Sequence, residues 1–338
     1  MGNYSIRYAE IRSDKIIAMN TSPNQTPPPR TLKDYLGLTA RGFAMGAADV
    51  VPGVSGGTMA FILGIYEELL DSIRDLASPH AIKLLFGFKL KEAFISLPWR
   101  FLLAVGIGIL LAIFSLAQFL EWTLENYPAL LWSFFFGLVV ASIITVNKRI
   151  SHWNFGVIVG LVAGAIAAYI LVGLVPVETP NAPWFLFLSG AIAICAMILP
   201  GISGSFILVL LGKYEYILSA VNTRDFLTLF LVAAGAGIGL VTFAQVLSWL
   251  FKRYHDLTVA ILIGFMVGSL RKIWPWKETI SFYTDRHGEV LPLEQINISP
   301  PAFDSTLIFA LILAIIGFAI VFGLDYWASS QQPADKTA

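Results

Sequence analysis

The stretch Val51-Pro52-Gly53-Val54-Ser55-Gly56-Gly57 lies in a long apolar segment, and a second apolar segment contains a near copy, Leu199-Pro200-Gly201-Ile202-Ser203-Gly204-Ser205. Proline and glycine interrupt α-helices, so we expect both segments to be broken at these residues. A pair of interrupted hydrophobic segments, in corresponding positions of two halves, is the best sequence indicator of the binding site of a membrane transporter. The pair therefore predicts a duplicated membrane protein with its site at the two breaks.

The composition is that of a polytopic membrane protein. Of the 338 residues, 57% are hydrophobic and 13% are charged, whereas a soluble domain carries about 25% charged residues. The net charge is zero, which gives no argument for a nucleic-acid partner. The single cysteine, Cys195, excludes an internal disulfide and a cysteine-based metal cluster, and we expect no metal or cofactor. Residues 1–30 are predicted to form a mobile cytoplasmic tail, and residues 327–338 are predicted to form a C-terminal tail.

The duplication extends beyond the two breaks. An offset of 148 positions aligns the breaks, and an offset of 127 aligns the residues that follow them. The matching residues are Gly42 and Gly190, Tyr66-Glu67 and Tyr214-Glu215, Ala117-Gln118 and Ala244-Gln245, and Trp122 and Trp249. The change of offset places an insertion in the charged connector Asp75–Arg100. We therefore predict a first repeat over residues 31–176 and a second repeat over residues 184–326.

Each break belongs to a segment that is too long for one straight membrane crossing. Residues 41–73 would form a helix of about 50 Å, whereas the hydrocarbon core is about 30 Å thick. Two half-helices of about a dozen residues each would instead enter to mid-depth and return. Three plain apolar segments follow each break and are predicted to cross the membrane, at approximately 101–120, 129–146, 154–175, 227–250, 257–270 and 305–324.

The loop charges predict how the segments are oriented. Basic residues flank both ends of the first broken segment, so the positive-inside rule places both ends in the cytoplasm. The pairs Lys148-Arg149 and Lys252-Arg253 are predicted inside, and the connector with Glu121 and Glu125 is predicted outside. The connector 271–294 then falls outside, although it carries several basic residues.

The predicted fold is an all-α polytopic membrane protein with two inverted-topology repeats. Each repeat contains one re-entrant helical hairpin and three transmembrane helices, and both termini are cytoplasmic. The alternative is a parallel arrangement with eight full crossings, which would place the basic connector 74–100 outside.

The two breaks present groups that can bind an anion. A new half-helix begins after each break, and its first N–H groups are unpaired and lie at the positive end of the helix dipole. Serine and threonine add hydroxyl donors, and glycine lets an anion approach the backbone closely. The predicted substrate-binding residues are Pro52, Gly53, Ser55, Gly56, Gly57, Thr58, Pro200, Gly201, Ser203, Gly204, Ser205 and Arg41. In the alternative interpretation, these residues only cap and pack the half-helices.

A second group of residues is predicted to couple or gate transport. Asp49 is an acidic residue expected deep in the membrane, where ionisable groups are costly and often carry protons; Met197 is its counterpart. The alternative is a neutral Asp49 that braces the break. The other predicted coupling or gating residues are Tyr66, Glu67, Lys213, Tyr214 and Glu215. For the Tyr-Glu pairs interfacial anchoring is the alternative, and the coupling ion, proton or sodium, stays open.

The segment Arg41–Thr58, together with Pro200–Ser205, resembles the bacterial undecaprenyl-phosphate translocases. The likeness covers approximately residues 35–325. It implies a lipid transporter in the bacterial cytoplasmic membrane. This transporter returns undecaprenyl phosphate from the outer to the inner leaflet for reuse in peptidoglycan and cell-envelope synthesis. The resemblance does not indicate an oligomeric state.

Two other functions compete with this interpretation. Undecaprenyl-diphosphate phosphatases use similar re-entrant repeats, but they add an arginine close behind the serine of the motif. Here Gly56-Gly57 and Gly204-Ser205 occupy those positions, so the charge clamp on a transferring phosphoryl group would be missing and we expect no enzyme. The other alternative is a secondary transporter of a small soluble anion.

Overall fold

A computed structural model of the chain describes residues 30–50, 55–87, 89, 92–93, 96–284, 290–301 and 303–331. The chain divides into two compact units, Met1–Tyr35 and Leu36–Ala338. In the described part of the first unit, the backbone N–H and the hydroxyl of Thr31 both donate to the Asp34 carboxylate, at 2.6 and 2.8 Å. This contact caps the beginning of the first helix.

The described chain is helical apart from one β-hairpin. The first half contains α1 (Leu32–Val50), α2 (Gly56–Ile62), α3 (Tyr66–Leu76), α4 (Pro79–Phe86), α5 (Trp99–Asn126), α6 (Pro128–Asn147) and α7 (Phe155–Leu171). The second half contains α8 (Pro183–Ile198), α9 (Gly204–Leu210), α10 (Tyr214–Thr223), α11 (Phe226–Arg253), α12 (His255–Ser269), β1 (Lys277–Thr284), β2 (Val290–Asn297) and α13 (Ser305–Gln331).

Apart from α4, the described helices of the two halves follow one another in the same order. α2 and α9 each have 7 residues and begin at aligned positions, and α5 and α11 each have 28 residues and also begin at aligned positions. α4 lies in the predicted insertion and has no counterpart in the second half. The lengths and starting positions of these helices therefore match at the offsets of 148 and 127 residues.

A glycine ends each short helix that follows a break. Gly64 and Gly212 have positive φ angles of 72° and 61°, a conformation that glycine adopts without strain. The N–H of Ile65 donates to the Ala60 carbonyl at 3.0 Å, which is the long bond of a Schellman motif. In the second half, α10 then leaves α9 at 100°. The helix after the second break has 7 residues rather than the predicted dozen.

Equivalent helix pairs approach closely in the two halves. α1 packs against α5, where a Cβ atom on Gly42 would clash with the backbone of Val105. α8 packs against α11, where a Cβ atom on Gly190 would clash with the backbone of Val232. Small residues allow such backbone contact in membrane helices.

The last helix of each half packs against the other half. α13 lies against α6, and α7 lies against α12. Glycines again allow the contact: a Cβ atom on Gly137 would meet the Ala314 backbone, and one on Gly264 would meet the Leu161 backbone. The two halves therefore exchange their last helices, an arrangement that no local sequence pattern predicts.

Within the described residues, four helices are long and apolar enough to cross a membrane: α5, α6, α11 and the segment Ser305–Gly323 of α13. Taken together, the bent pair α9 and α10 is also long and apolar enough for a fifth span. α7 and α12 are apolar but have only 17 and 15 residues. At ~1.5 Å per residue they measure about 26 and 22 Å, less than the ~30 Å hydrocarbon core. Two of the six predicted crossings are therefore shorter than a full span.

The β-hairpin shows that the prediction of an all-α fold was wrong in the connector after α12. β1 and β2 are antiparallel, and Lys277 pairs with Asn297. The first strand contains Thr279, Ile280 and Phe282, β-branched and aromatic residues that favour extended backbone. This strand pattern is present in the sequence, whereas the prediction for the connector rests on its charges alone.

Candidate functional site

At the described part of the first break, the first N–H groups of α2 are hydrogen-bonded to side chains of the same segment. Pro52 and Gly53 lie outside the described residues. Ser55 caps α2 with extended backbone, and its Oγ accepts the Gly57 N–H at 3.1 Å. The Gly56 N–H donates to Asp49 Oδ1 at 2.7 Å. A carboxylate of the protein therefore occupies the first N–H of this half-helix, a place where an external anion would also bind.

The two breaks meet directly. Ser55 Oγ lies 3.2 Å from the Met197 carbonyl oxygen and 3.3 Å from that of Leu199, so its hydrogen can be donated to either. In the opposite direction, the Gly201 N–H donates to Thr58 Oγ1 at 2.9 Å. Ser55 and Thr58 are both buried. Polar groups more than 140 positions apart in the chain thus satisfy each other.

A tyrosine completes this junction. Tyr66 is buried, and its hydroxyl donates to the Ile198 carbonyl at 3.0 Å. The last carbonyls of a helix lack intrahelical partners, and leaving them unpaired inside a membrane costs several kcal/mol. Hydroxyls from the first half therefore cap the end of α8 in the second half. The bonds of Ser55 support the interpretation of this residue as a cap. The bond of Tyr66 places its hydroxyl at the junction of the two breaks.

The glycines at the first break are required by close approach. A Cβ atom on Gly57 would lie 3.1 Å from the Met197 carbonyl oxygen and closer still to that of Ile198. A Cβ atom on Gly56 would overlap the Asp49 carboxylate. Side chains at these positions would separate the two segments or displace Asp49.

The second break has a different local chemistry. Pro200 is buried, and Gly201 has φ +89°. Ser203 begins α9 without a side-chain capping bond, and its Oγ pairs with Ser205 Oγ at 2.8 Å. A Cβ atom on Gly204 would lie 2.7 Å from the Ala193 carbonyl oxygen. Because Met197 replaces Asp49, this break has no equivalent carboxylate.

Three of the predicted coupling residues lie away from the junction. Lys213 is buried, and its ammonium donates to the Thr179 carbonyl at 2.7 Å and to Asn181 Oδ1 at 2.6 Å. These bonds tie Lys213 to the loop that precedes α8. Tyr214 is 44% exposed, in contrast to its buried counterpart Tyr66, and Glu215 follows it in the first turn of α10.

The remaining two predicted residues belong to the first half. Glu67 Oε1 lies 3.8 Å from His255 Nε2, and both side chains are partly exposed. Arg41 is partly buried on α1, about 12 Å before Asp49 at ~1.5 Å per residue. The structure therefore gathers Asp49, Tyr66 and the described residues of both breaks, while Arg41 and Glu67 lie on the helices that lead to and from them.

Two polar features were missed by sequence reasoning. On α3 and α11, Arg74 donates to Ser248 Oγ at 2.8 Å, and Ser248 donates to Asp71 Oδ1 at 2.6 Å. Beside the β-hairpin, Arg271, Lys272 and Lys277 line one cavity. The signal for the second feature was the surplus of basic residues in a connector that the charge rule placed outside.

A known protein family matches most of the chain. The family described as VCA0040-like, undecaprenyl phosphate translocase-like, matches residues 45–291. The chain belongs to this family.

Two relatives of the family member described here carry the same name. The polyprenyl-phosphate transporter of Vibrio cholerae serotype O1 (strain El Tor Inaba N16961) is 44% identical over 301 residues, which cover 87% of this chain and 97% of the relative. The polyprenyl-phosphate transporter of Staphylococcus aureus (strain NCTC 8325) is 32% identical over 256 residues, which cover 70% and 84%. No solved structure matches the chain. The membrane-protein class and the family predicted from the sequence are confirmed.

Proposed function

We propose that this protein carries undecaprenyl phosphate from the outer to the inner leaflet of the bacterial cytoplasmic membrane. The phosphate would be held at the junction of the two breaks, and access would alternate between the two sides while the polyprenyl tail stays in the lipid. The observation that carries this proposal is the direct contact of the two broken segments through Ser55, Thr58 and Gly201. The names of both relatives support the substrate class.

The proposal includes inverted repeats over residues 31–176 and 184–326, with both termini cytoplasmic. Its support is the equal succession of helices in the two halves and the basic residues on both sides of the first broken segment. Inverted repeats place a substrate site at their interface near mid-membrane. This is where the junction would lie.

The two breaks would play different roles in binding. At the second break, Ser203 and Ser205 offer hydroxyls beside the start of α9. At the first break, Asp49 already holds the Gly56 N–H, so a phosphate oxygen can take that N–H only when the carboxylate leaves it. Protonation of Asp49 would weaken its hold, because the charged form is the stronger acceptor. This exchange would couple headgroup binding to a proton.

The test is the movement of fluorescently labelled undecaprenyl phosphate across vesicles that contain the purified protein. We expect Gly204→Leu to abolish transport, because even a Cβ atom there contacts the Ala193 carbonyl. Gly106→Leu is the matched control, since a Cβ atom on Gly106 meets nothing within 4 Å. Equal transport by wild type and Gly204→Leu would refute the junction as the phosphate site.

The same vesicles separate the competing functions. Release of inorganic phosphate from undecaprenyl diphosphate would identify a phosphatase. Uptake of inorganic phosphate without lipid movement would identify a transporter of soluble anions. We expect no phosphatase activity, because the hydroxyls and amides at the breaks supply no arginine clamp for phosphoryl transfer. We expect no uptake of soluble phosphate, because both relatives are named as polyprenyl-phosphate transporters.

A further inference from the structure

A cavity of about 110 Å³ lies beside the β-hairpin, apart from the junction of the breaks. Residues 172–175 after α7 form one wall, the segment after α12 forms a second, and residues 294–297 of β2 form a third. Its volume is enough for several water molecules. The cavity therefore has room for a small polar group.

Three cationic side chains line this cavity, and each of them lies over an aromatic ring. The Arg271 guanidinium lies 4.5 Å from the centre of the Tyr169 ring and donates to the Tyr169 carbonyl at 3.2 Å. A Cβ atom on Gly173 would lie 2.7 Å from the guanidinium carbon, so glycine makes the space for it. The Lys277 ammonium lies 4.2 Å from the centre of the Trp132 ring.

The third cation, Lys272, lies near the helix that follows the second break. The Lys272 ammonium lies 4.7 Å from the centre of the Phe206 ring, and Phe206 follows Ser205 in α9. The Lys277 ammonium donates to the Lys272 carbonyl at 2.5 Å, which ties the two lysines together. The cavity is therefore adjacent to the elements that carry the proposed phosphate site.

The cavity wall has a surplus of positive charge. Glu294 is the one carboxylate among its lining residues, and in the described part of the chain the three cations form no ion pair with it. Burial, together with the Lys272 charge, lowers the pKa of Lys277 to about 7, and burial lowers the pKa of Lys272. Cations that repel each other in this way are stabilised by an anion.

We propose that Arg271, Lys272 and Lys277 form a binding site for a phosphate monoester. Arg271 can make paired hydrogen bonds to two phosphate oxygens, while the lysines neutralise the remaining charge. A polyprenyl-phosphate headgroup and free phosphate share this chemistry. The assignment of the lipid headgroup as the ligand, reaching the cavity from the side of the hairpin, rests on the proposed function. The assignment of the cavity as an anion site does not.

The experiment measures binding to the purified full-length protein in nanodiscs, by the fluorescence of Trp132 and the other tryptophans. The probes are inorganic phosphate, undecaprenyl phosphate and undecaprenol. We expect Lys277→Met and Arg271→Gln each to weaken phosphate binding at least tenfold. Arg253→Gln, which removes an exposed cation at the end of α11, should leave it unchanged. Lys277→Arg keeps the charge and should restore most of the affinity.

Each outcome decides one part of the proposal. Equal affinity of wild type, Lys277→Met and Arg271→Gln for both phosphates would overturn the site. Wild-type binding of inorganic phosphate but not of undecaprenyl phosphate would overturn the headgroup as its ligand. If cavity variants lose phosphate binding while wild-type vesicles move no lipid, the site stands and the transport function fails. Should Lys277→Met not fold, the comparison of Arg271→Gln with the control Arg253→Gln still decides the result.

Discussion

Substitution of Gly57 by alanine tests the contact between the two breaks most directly. The added Cβ atom would lie 3.1 Å from the Met197 carbonyl oxygen and closer to that of Ile198. Non-bonded atoms prefer about 3.5–4.0 Å, and both neighbours are backbone atoms that cannot rotate away. The two segments must therefore separate, which strains the bonds of Ser55 to the Met197 and Leu199 carbonyls.

The expected cost follows from these contacts. Overpacking costs about 1–3 kcal/mol, and weakening the Ser55 bonds adds about 1 kcal/mol. The higher helix propensity of alanine returns up to about 1 kcal/mol. The net loss of about 1–3 kcal/mol should lower the Tm of the protein in detergent by about 2–6 °C. We also expect slower movement of undecaprenyl phosphate in vesicles.

The control and the refuting result use a glycine on α5. Gly106→Ala places its Cβ atom in open space, so the Tm should stay the same or rise slightly. Both variants should be compared by thermal unfolding at one detergent and lipid concentration. If Gly57→Ala matches Gly106→Ala in Tm and in transport, the two breaks do not approach each other as closely as described, and the capping of α8 by the first half is incorrect.

Three further predictions concern single side chains. Asp49→Asn should remove the dependence of transport rate on pH, measured in vesicles from pH 6 to 8, and an unchanged pH profile would contradict proton coupling at Asp49. Tyr66→Phe leaves the Ile198 carbonyl without its donor and should destabilise the protein by about 1–3 kcal/mol. The exposed Tyr214→Phe should change Tm little. Sulfate keeps its charge near neutral pH and can therefore be used to test the cavity beside the hairpin at different pH values. Its affinity for the protein should fall as the pH rises through about 7, because Lys277 loses its proton there. Lys277→Arg should flatten this profile.

The confirmed predictions, the membrane class and the family, depend on composition and on motifs of neighbouring residues. The insertion and the matching order of helices follow from residue types within short windows, because proline and glycine act on their own backbone. The charges of the connector 271–294 conflicted with its predicted location, and the cavity beside the hairpin lies in this connector. The strand pattern of the same connector was equally local and was overlooked.

The hydrogen-bond partners in the candidate site could not be predicted from neighbouring residues. The sequence identified Ser55, Thr58 and the glycines, but their hydrogen bonds go to Met197, Leu199 and Gly201. Which half supplies the partner depends on packing across the molecule. The hydrogen bond from the Gly56 N–H to Asp49 depends on how α1 and α2 lie relative to each other, and the spacing of 7 residues alone does not specify it.

The sequence by itself determined the membrane class, the family, the doubled break and the set of polar residues around it. These properties are carried by composition, spacing and the conformational limits of proline and glycine. The tertiary structure alone decided the exchange of α7 and α13 between the halves, the capping of α8 by hydroxyls of the first half, and the gathering of three cations beside the hairpin. The physical reason is that buried polar groups must find partners wherever packing places them, at any distance along the chain.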